Sequence, residues 1–186
     1  MKDICDQILI DLHLALSQPR LDHILSVAKT VKSLAKAYQR DPEKLYLCAL
    51  LHDLAREMPV KEQVRILNEG GVKDLLLLEN PALCHAKVAG ILAVERYNLN
   101  SAVIEPVIWH TTGRKNMTLD DCLLYVADQI EPKRSWSSKE IIEEAHQNIY
   151  KTMQECLRKK LEFTLKRGKM VHPDSLECWN WLCLQH

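Results

Sequence analysis

Six polar side chains that could bind a metal ion occur within apolar, helix-forming stretches of the chain. Two of them, His52 and Asp53, are adjacent in the run 45–55, whose apolar side chains would fall on every side of a helix and so predict full burial. A buried carboxylate is neutralised, paired or bound to a metal. Imidazole and carboxylate are common metal ligands, although for this dipeptide considered alone a buried His-Asp hydrogen bond is the favoured interpretation. The six residues are His23, His52, Asp53, His85, His110 and Asp128.

Each of these side chains also has a structural interpretation when it is considered alone. His23 could lie at the rim of a helix face, and Asp128 could be solvated on the outer face of its helix. His110 could interact with the carboxyl end of a helix, where a cation is stabilised. The six residues come from five helical segments that must pack around one core, however, and together they favour a shared metal site.

The segments that must position these residues all have helical patterns. Glycine is scarce, at five residues, and alternation of β-branched residues is almost absent, so the sequence predicts an all-α protein. With 186 residues, 47% of them hydrophobic, we expect one compact helical bundle over residues 1–186 with a buried site at its centre. Asp41 and Pro42 predict the start of the helix that carries His52, which should continue to Met58, before Pro59.

Capping patterns place the later helix boundaries. Thr118 with Asp121 predicts a capping box with Asp at the third helical position. Ser137 with Glu140 predicts a second capping box, of the usual Ser-x-x-Glu type. A final helix is expected over 175–184.

Composition limits the classes of function. Lys plus Arg and Asp plus Glu are both 25, so there is no basic excess that would indicate general nucleic-acid or membrane-surface binding. No apolar run approaches the roughly 18 residues that span a bilayer, and the amino terminus lacks a signal-peptide pattern. Seven cysteines without a Cys-x-x-Cys pair indicate reduced thiols in a cytoplasmic protein. Trp179, Trp181 and Leu184 could be core residues or the interface of a homodimer.

Four segments of the sequence resemble the HD-domain superfamily of metal-dependent phosphohydrolases, and within it the YqeK-like family. They are Arg20-x-x-His23, Leu-Leu-His-Asp-Leu-Ala-Arg-Glu-Met-Pro at 50–59, Trp-His-Thr-Thr-Gly-Arg at 109–114, and Ala-Asp-x-Ile-Glu-Pro-x-Arg at 127–134. The resemblance covers nearly the whole chain and implies an HD-type helical fold. It also implies a symmetrical bis(5'-nucleosyl)-tetraphosphatase that uses a metal-activated water to cleave diadenosine tetraphosphate to two ADP. Alternatives are an HD-type nucleotidase for shorter nucleotides and a non-catalytic nucleotide-binding helical domain.

The resemblance assigns roles to individual residues. His23, His52, Asp53 and Asp128 would hold the metal, with Asp53 bridging to a second ion that His85 and His110 help to bind. If that second site is empty, the two imidazoles would face the phosphate instead. The family implies iron, as one or two ions, and the ligand types alone also allow Mn or Zn.

Substrate contacts are expected from arginines near the ligands and from the tight turn after His110. Guanidinium groups bind phosphate oxygens in a bidentate manner, although for each arginine considered alone a solvated surface charge or an ordinary ion pair is the favoured interpretation. His52, Asp53 and Arg56 are the expected catalytic residues. Residues 169–174, especially His172, would line the nucleotide pocket, unless Pro173 and Asp174 simply start the last helix. The expected substrate-binding residues are Arg20, Arg56, His85, His110, Thr111, Thr112, Gly113, Arg114, Asp128, Arg134 and His172.

Overall fold

The computed structural model describes residues 2–78 and 80–185, and within these residues it contains eleven α-helices and no β-strand. The all-α prediction is therefore confirmed. Among the described residues, no helix combines the length and apolar character needed to cross a membrane. The helices are α1 (Lys2–Ala15), α2 (Gln18–Ala37), α3 (Pro42–Leu51), α4 (Val60–Glu69), α5 (Leu75–Leu78), α6 (Pro81–Tyr97), α7 (Ser101–Trp109), α8 (Leu119–Ile130), α9 (Lys139–Gln147), α10 (Ile149–Lys166) and α11 (Pro173–Leu182).

The core of the molecule is built around α8. This helix is buried at almost every position, because α2, α3, α7 and α10 all pack against it. Its N-terminus has the predicted capping box: the Thr118 hydroxyl accepts from the Asp121 N–H, and the Asp121 carboxylate accepts from the Thr118 N–H at 2.9 Å. Since no face of α8 is free, Asp128 is only 7% exposed, and the interpretation of Asp128 as a solvated side chain is wrong.

The helix before the metal-ligand candidates ends earlier than the sequence predicts. α3 begins after the Asp41 N-cap as expected, but it stops at Leu51, and residues 52–57 form successive turns. The Ala55 carbonyl accepts from the Met58 N–H, three residues on, at 3.2 Å. Its α-helical donor would be residue 59, which is a proline without an N–H. His52 and Asp53 therefore lie at the end of a helix rather than inside one.

Two other boundaries differ from the prediction by one or two residues. Ser138, not Ser137, caps α9, and its hydroxyl accepts from the Ile141 N–H. Ser137 instead donates to the Ile130 carbonyl at 2.6 Å, and so satisfies an acceptor left free at the end of α8. The last helix covers Pro173–Leu182 rather than 175–184, because the His172 imidazole acts as its N-cap.

The tryptophans near the carboxyl end, Trp179 and Trp181, are partly buried against the core. Leu184 is 80% exposed. A homodimer interface at this end of the molecule stays a prediction.

Candidate metal centre

All six predicted ligands meet at one buried point between α2, α6, α7 and α8. His23 comes from α2, His85 from α6 and Asp128 from α8, while His110 directly follows α7. The Nε2 atom of His23 lies 3.0 Å from Asp128 Oδ1, and Nε2 of His85 lies 3.1 Å from Asp53 Oδ1. Every member of the set is less than a tenth exposed. Five helical segments thus bring their polar groups to the same place in the core.

The cluster contains two groups of ligand atoms that share Asp53. In one group, Nε2 of His23 and of His52 lie 3.7 and 3.5 Å from Asp53 Oδ2. In the other, Nε2 of His85 and of His110 lie 3.1 and 3.9 Å from Asp53 Oδ1. Each carboxylate oxygen therefore faces its own pair of imidazoles, which is the arrangement of a carboxylate that bridges two ions.

The hydrogen bonds of two histidine rings fit metal binding. Nδ1 of His52 lies 2.7 Å from the Ala49 carbonyl, and Nδ1 of His110 lies 2.7 Å from the Val107 carbonyl. A carbonyl only accepts, so each Nδ1 carries the proton and each Nε2 presents a lone pair to the cluster. Within the described part of the chain, the fully buried Nε2 of His52 has no hydrogen-bond partner. An orphaned imidazole nitrogen facing carboxylates fits a divalent metal ion.

A third histidine is oriented by a carboxylate that the sequence did not single out. Nδ1 of His23 lies 3.2 Å from Oε1 of Glu131, which is 2% exposed. The other oxygen of Glu131 accepts from the Ser26 hydroxyl at 2.7 Å and from the Lys133 N–H at 2.9 Å. Such outer contacts fix the ring orientation of metal-binding histidines. The only signal for this residue in the sequence was its place in the segment 127–134.

The ionisation of the cluster also suits a cation. Burial raises the pKa of Asp53, but the imidazoles of His52 and His85 outweigh it and hold that pKa below its usual range. The pKa of Asp128 is shifted in the same direction. Burial raises it, but His23 and Arg134 outweigh burial and hold it well below the ordinary value. Burial lowers the pKa of His85 and, further, of His110. The carboxylates are thus charged and these two imidazoles neutral, as metal binding requires.

The pKa of His23 is shifted upward, in the opposite direction to the pKa of His85 and of His110. Burial acts to lower the pKa of His23, but the hydrogen bond and charge of Asp128 raise it overall. Two arginines complete the charge balance: Arg20 contacts Asp53 Oδ2 at 2.7 Å, and Arg134 contacts Asp128 Oδ1 at 2.6 Å. Both guanidinium groups therefore lie beside the predicted ligands.

A cleft of about 730 Å³ opens onto the cluster. Its lining includes the candidates Asp53, Arg56, His85, His110, Thr111, Asp128 and Arg134. Other lining residues come from segments that sequence reasoning left out, notably Trp136 and, on α10, Lys159 and Lys160. Lysines on a polar helix give no sign in the sequence of whether they face solvent or a cleft. Lys169, from the segment that was expected to line the nucleotide pocket, does line this cleft.

The predicted substrate-binding residues Thr112, Gly113 and Arg114, from the turn after His110, contact other residues of the protein. Arg114 contacts Glu105 at 3.0 Å and Asp121 at 3.3 Å. Thr112 is buried, and its carbonyl accepts from the Ser175 hydroxyl. Gly113 has a φ of +66°, and a Cβ atom there would lie 2.6 Å from the sulfur of Cys178. These contacts hold the turn after His110 in place.

His172 also contacts other residues of the protein and does not line the cleft. Its Nε2 atom lies 2.9 Å from Asp74 Oδ2, and its Nδ1 accepts from the Asp174 N–H at 3.2 Å. In the residues that the structure describes, the lining of the cleft does not include His172, Thr112, Gly113, Arg114 or Arg20, the last of which contacts Asp53. Direct substrate contact stays a prediction for all of the predicted substrate-binding residues.

Comparison with known proteins identifies the family. The HD domain profile matches residues 20–133, which is more than half of the chain. Over 169 residues the chain is 30% identical to the symmetrical bis(5'-nucleosyl)-tetraphosphatase of Bacillus subtilis, covering 90% of this chain and 91% of that protein. It is 28% identical to the protein of the same name from Staphylococcus aureus, covering 89% and 88%.

A solved structure shows the same fold. The crystal structure of a protein from Clostridium acetobutylicum, described as a predicted HD superfamily hydrolase involved in NAD metabolism, has a TM-score of 0.93. The two sequences are 29% identical, and the match covers 97% of both chains. On the family profile and on relatives matched over nearly their full length, this chain belongs to the HD domain family.

Proposed function

We propose that this protein is a metal-dependent hydrolase that cleaves diadenosine tetraphosphate and related dinucleoside polyphosphates symmetrically, giving two ADP from the former. The observation that carries the proposal is Asp53, whose two oxygens face separate pairs of imidazoles at the base of a cleft lined with cations. The relatives that match over about 90% of the chain are named for this activity. A polyphosphate chain is a substrate that needs both the metal ligands and the cations of the cleft.

The proposed metal is iron, as one or two ions, with Mn or Zn as alternatives that the same ligands would accept. One ion would be held by His23, His52, Asp53 and Asp128, and the second by Asp53 with His85 and His110. When bound, divalent ions at such a site supply an activated water as the nucleophile and neutralise charge on the phosphoryl group. The orphaned Nε2 of His52 and the charged carboxylates support this assignment.

The protein's own residues would position the phosphate chain. The guanidinium of Arg56 lines the cleft with its Nη1 3.4 Å from His85 Nδ1, and can donate to phosphoryl oxygens beside the metal centre. Thr111 lies in the same wall and can add a hydroxyl donor. As water attacks one central phosphorus, the bond breaks between that phosphorus and the oxygen that links it to the other central phosphorus. This oxygen leaves with the electron pair as part of one ADP, the water oxygen becomes part of the other ADP, and the water proton is released to solvent. Fixed cations stabilise the charge that develops on the departing oxygen.

Elemental analysis and product analysis test the proposal together. Purified protein is analysed for bound metal, loaded with iron(II) or manganese, incubated with diadenosine tetraphosphate, and the nucleotides are separated by chromatography. We expect bound metal and ADP as the sole nucleotide product, and Asp53→Asn, which keeps the side-chain shape, should lose both. ATP with AMP as products, or no turnover by the metal-loaded protein, would contradict the proposal. Faster hydrolysis of mononucleotides would instead indicate a nucleotidase.

A further inference from the structure

The wall of the cleft away from the metal centre is formed by one face of α10. Cys156, Lys160 and Thr164 follow one another at intervals of four residues, with Lys159 and Phe163 beside them, and all five line the cleft. Spacing of three and four residues places side chains on one side of a helix. This face therefore borders the part of the cleft into which a substrate bound at the metal ligands would extend.

Lys160 is held at the inner edge of this wall. Its ammonium group donates to the main-chain carbonyl of Thr111, the residue that follows the ligand candidate His110. The same nitrogen lies 5.6 Å from the centre of the buried Tyr125 ring. Contacts on both sides fix the position of this cation, although lysine side chains on helix surfaces are otherwise mobile.

Among the described residues, no carboxylate pairs directly with Lys160. Arg20 and Arg134 are neutralised by Asp53 and Asp128, at 2.7 and 2.6 Å. Across the described ranges 2–78 and 80–185, no carboxylate oxygen lies within 4.0 Å of the Lys160 ammonium. An ammonium group that lines a cleft and has no carboxylate in contact can donate to the oxygens of an anion that enters the cleft.

The charges nearby extend this site along the cleft. Lys159 and Lys169 also line the cleft, and Lys159 lies 3.6 Å from Glu155, which does not line it. The carboxylates that line the cleft are the ligand candidates Asp53 and Asp128. The outer part of the cleft thus offers cations without lining carboxylates among the described residues. It would attract a chain of several phosphates more strongly than a single one.

We propose that Lys160 binds the part of the phosphate chain that extends beyond the phosphoryl group at the metal centre, and so makes the site selective for polyphosphate chains. The inference rests on the proposed function, because it places one phosphoryl group of the substrate at the Asp53 cluster. Lys160 is then a substrate-binding residue contributed by α10, a helix outside the segment that the HD domain profile matches.

Lys160→Met tests this role, because it removes the charge and keeps the aliphatic stem. Lys160→Arg keeps the charge, and Lys160→Gln is a second neutral variant that keeps a donor for the Thr111 carbonyl. The matched control is Lys151→Met, in the same helix: Lys151 pairs with Glu144 at 2.8 Å and is not a lining residue of this cleft. Far-UV circular dichroism and thermal unfolding check that each variant is folded.

The readout is the binding of ADP and of inorganic phosphate to metal-loaded protein, measured by calorimetry, with kcat/KM for diadenosine tetraphosphate. For Lys160→Met we expect ADP affinity and kcat/KM to fall roughly 10- to 100-fold, the effect of losing one charge-assisted hydrogen bond. Inorganic phosphate, which needs only the metal centre, should bind within about twofold of wild type. Lys160→Arg should keep most of the affinity, and Lys151→Met all of it.

Two results would overturn the inference. Unchanged ADP affinity in both neutral variants would show that Lys160 does not bind phosphate. An equal loss of ADP and inorganic phosphate would show that Lys160 only positions Thr111 and the metal centre. Failure of the proposed function would look different. In that case the wild-type protein would bind ADP in a Lys160-dependent way but would not cleave diadenosine tetraphosphate.

Discussion

The buried carboxylate behind His23 offers a sharp test of the metal centre, through the substitution Glu131→Gln. Glu131 is 2% exposed, one of its oxygens lies 3.2 Å from His23 Nδ1, and the other accepts from the Ser26 hydroxyl and the Lys133 N–H. Burial raises the pKa of Glu131, but these partners outweigh burial and lower it overall. Glutamine keeps the volume of this side chain and removes its charge and one acceptor.

Either orientation of the new amide has a cost. If the amide nitrogen faces Lys133, two donors meet and the Lys133 N–H loses its bond. If the amide nitrogen faces His23, Nδ1 must accept, so the proton moves to Nε2 and blocks the lone pair that would bind the metal. Loss of an outer-shell partner weakens metal binding by about 10- to 100-fold, which corresponds to about 1.4–2.8 kcal/mol.

The assay is manganese affinity at constant pH, measured by calorimetry or by competition with a chelator. The matched control is Glu62→Gln, because the Glu62 side chain is 49% exposed on α4 and is not one of the residues that line the cleft. We expect the control to bind as wild type and His23→Ala to lose one ion. Wild-type affinity in Glu131→Gln, together with lost binding in His23→Ala, would refute the idea that Glu131 orients the ligand.

Two further predictions concern stability. Gly113→Ala should lower the free energy of unfolding, measured in denaturant, by about 1–3 kcal/mol more than Gly71→Ala does. Both glycines have a positive φ, but only at Gly113 would a Cβ atom meet the Cys178 sulfur. Equal losses in the two variants would contradict this contact. Asp120 accepts from Arg40 at 2.6 Å and from Lys44, and although burial raises its pKa these cations lower it overall. Its folded pKa is therefore below the unfolded value near 3.8, so its stabilisation is present above that pH and is lost as pH falls through the folded value. In urea unfolding at pH 6, we expect the wild type to be about 1–2 kcal/mol more stable than Asp120→Asn, and this difference should shrink below pH 4. A difference that stays constant with pH would count against the pairing of Asp120 with Arg40 and Lys44.

The sequence by itself determined the helical class and the identity of the six residues that meet in the core. Apolar periodicity indicates helices, and a polar group such as His52 within an apolar helix needs a partner, whereas Asp128 was assigned through the family resemblance of segment 127–134. The capping box at Thr118 was predicted correctly, since a cap involves only residues within one turn. The Ser137 box was not, because the choice between adjacent serines depended on a carbonyl at the end of another helix.

Only the tertiary structure decided how these residues are arranged and which others join them. That Asp53 faces two separate pairs of imidazoles depends on how α2, α6 and α7 pack around residue 53, and no spacing along the chain encodes those distances. The rotation of α10 against α8 turns Lys160 toward the cleft, whereas its sequence context is that of a solvated helix. Packing likewise sets His172 against Asp74 at 2.9 Å. Local chemistry thus names the candidate ligands, but long-range packing assigns each side chain its partner.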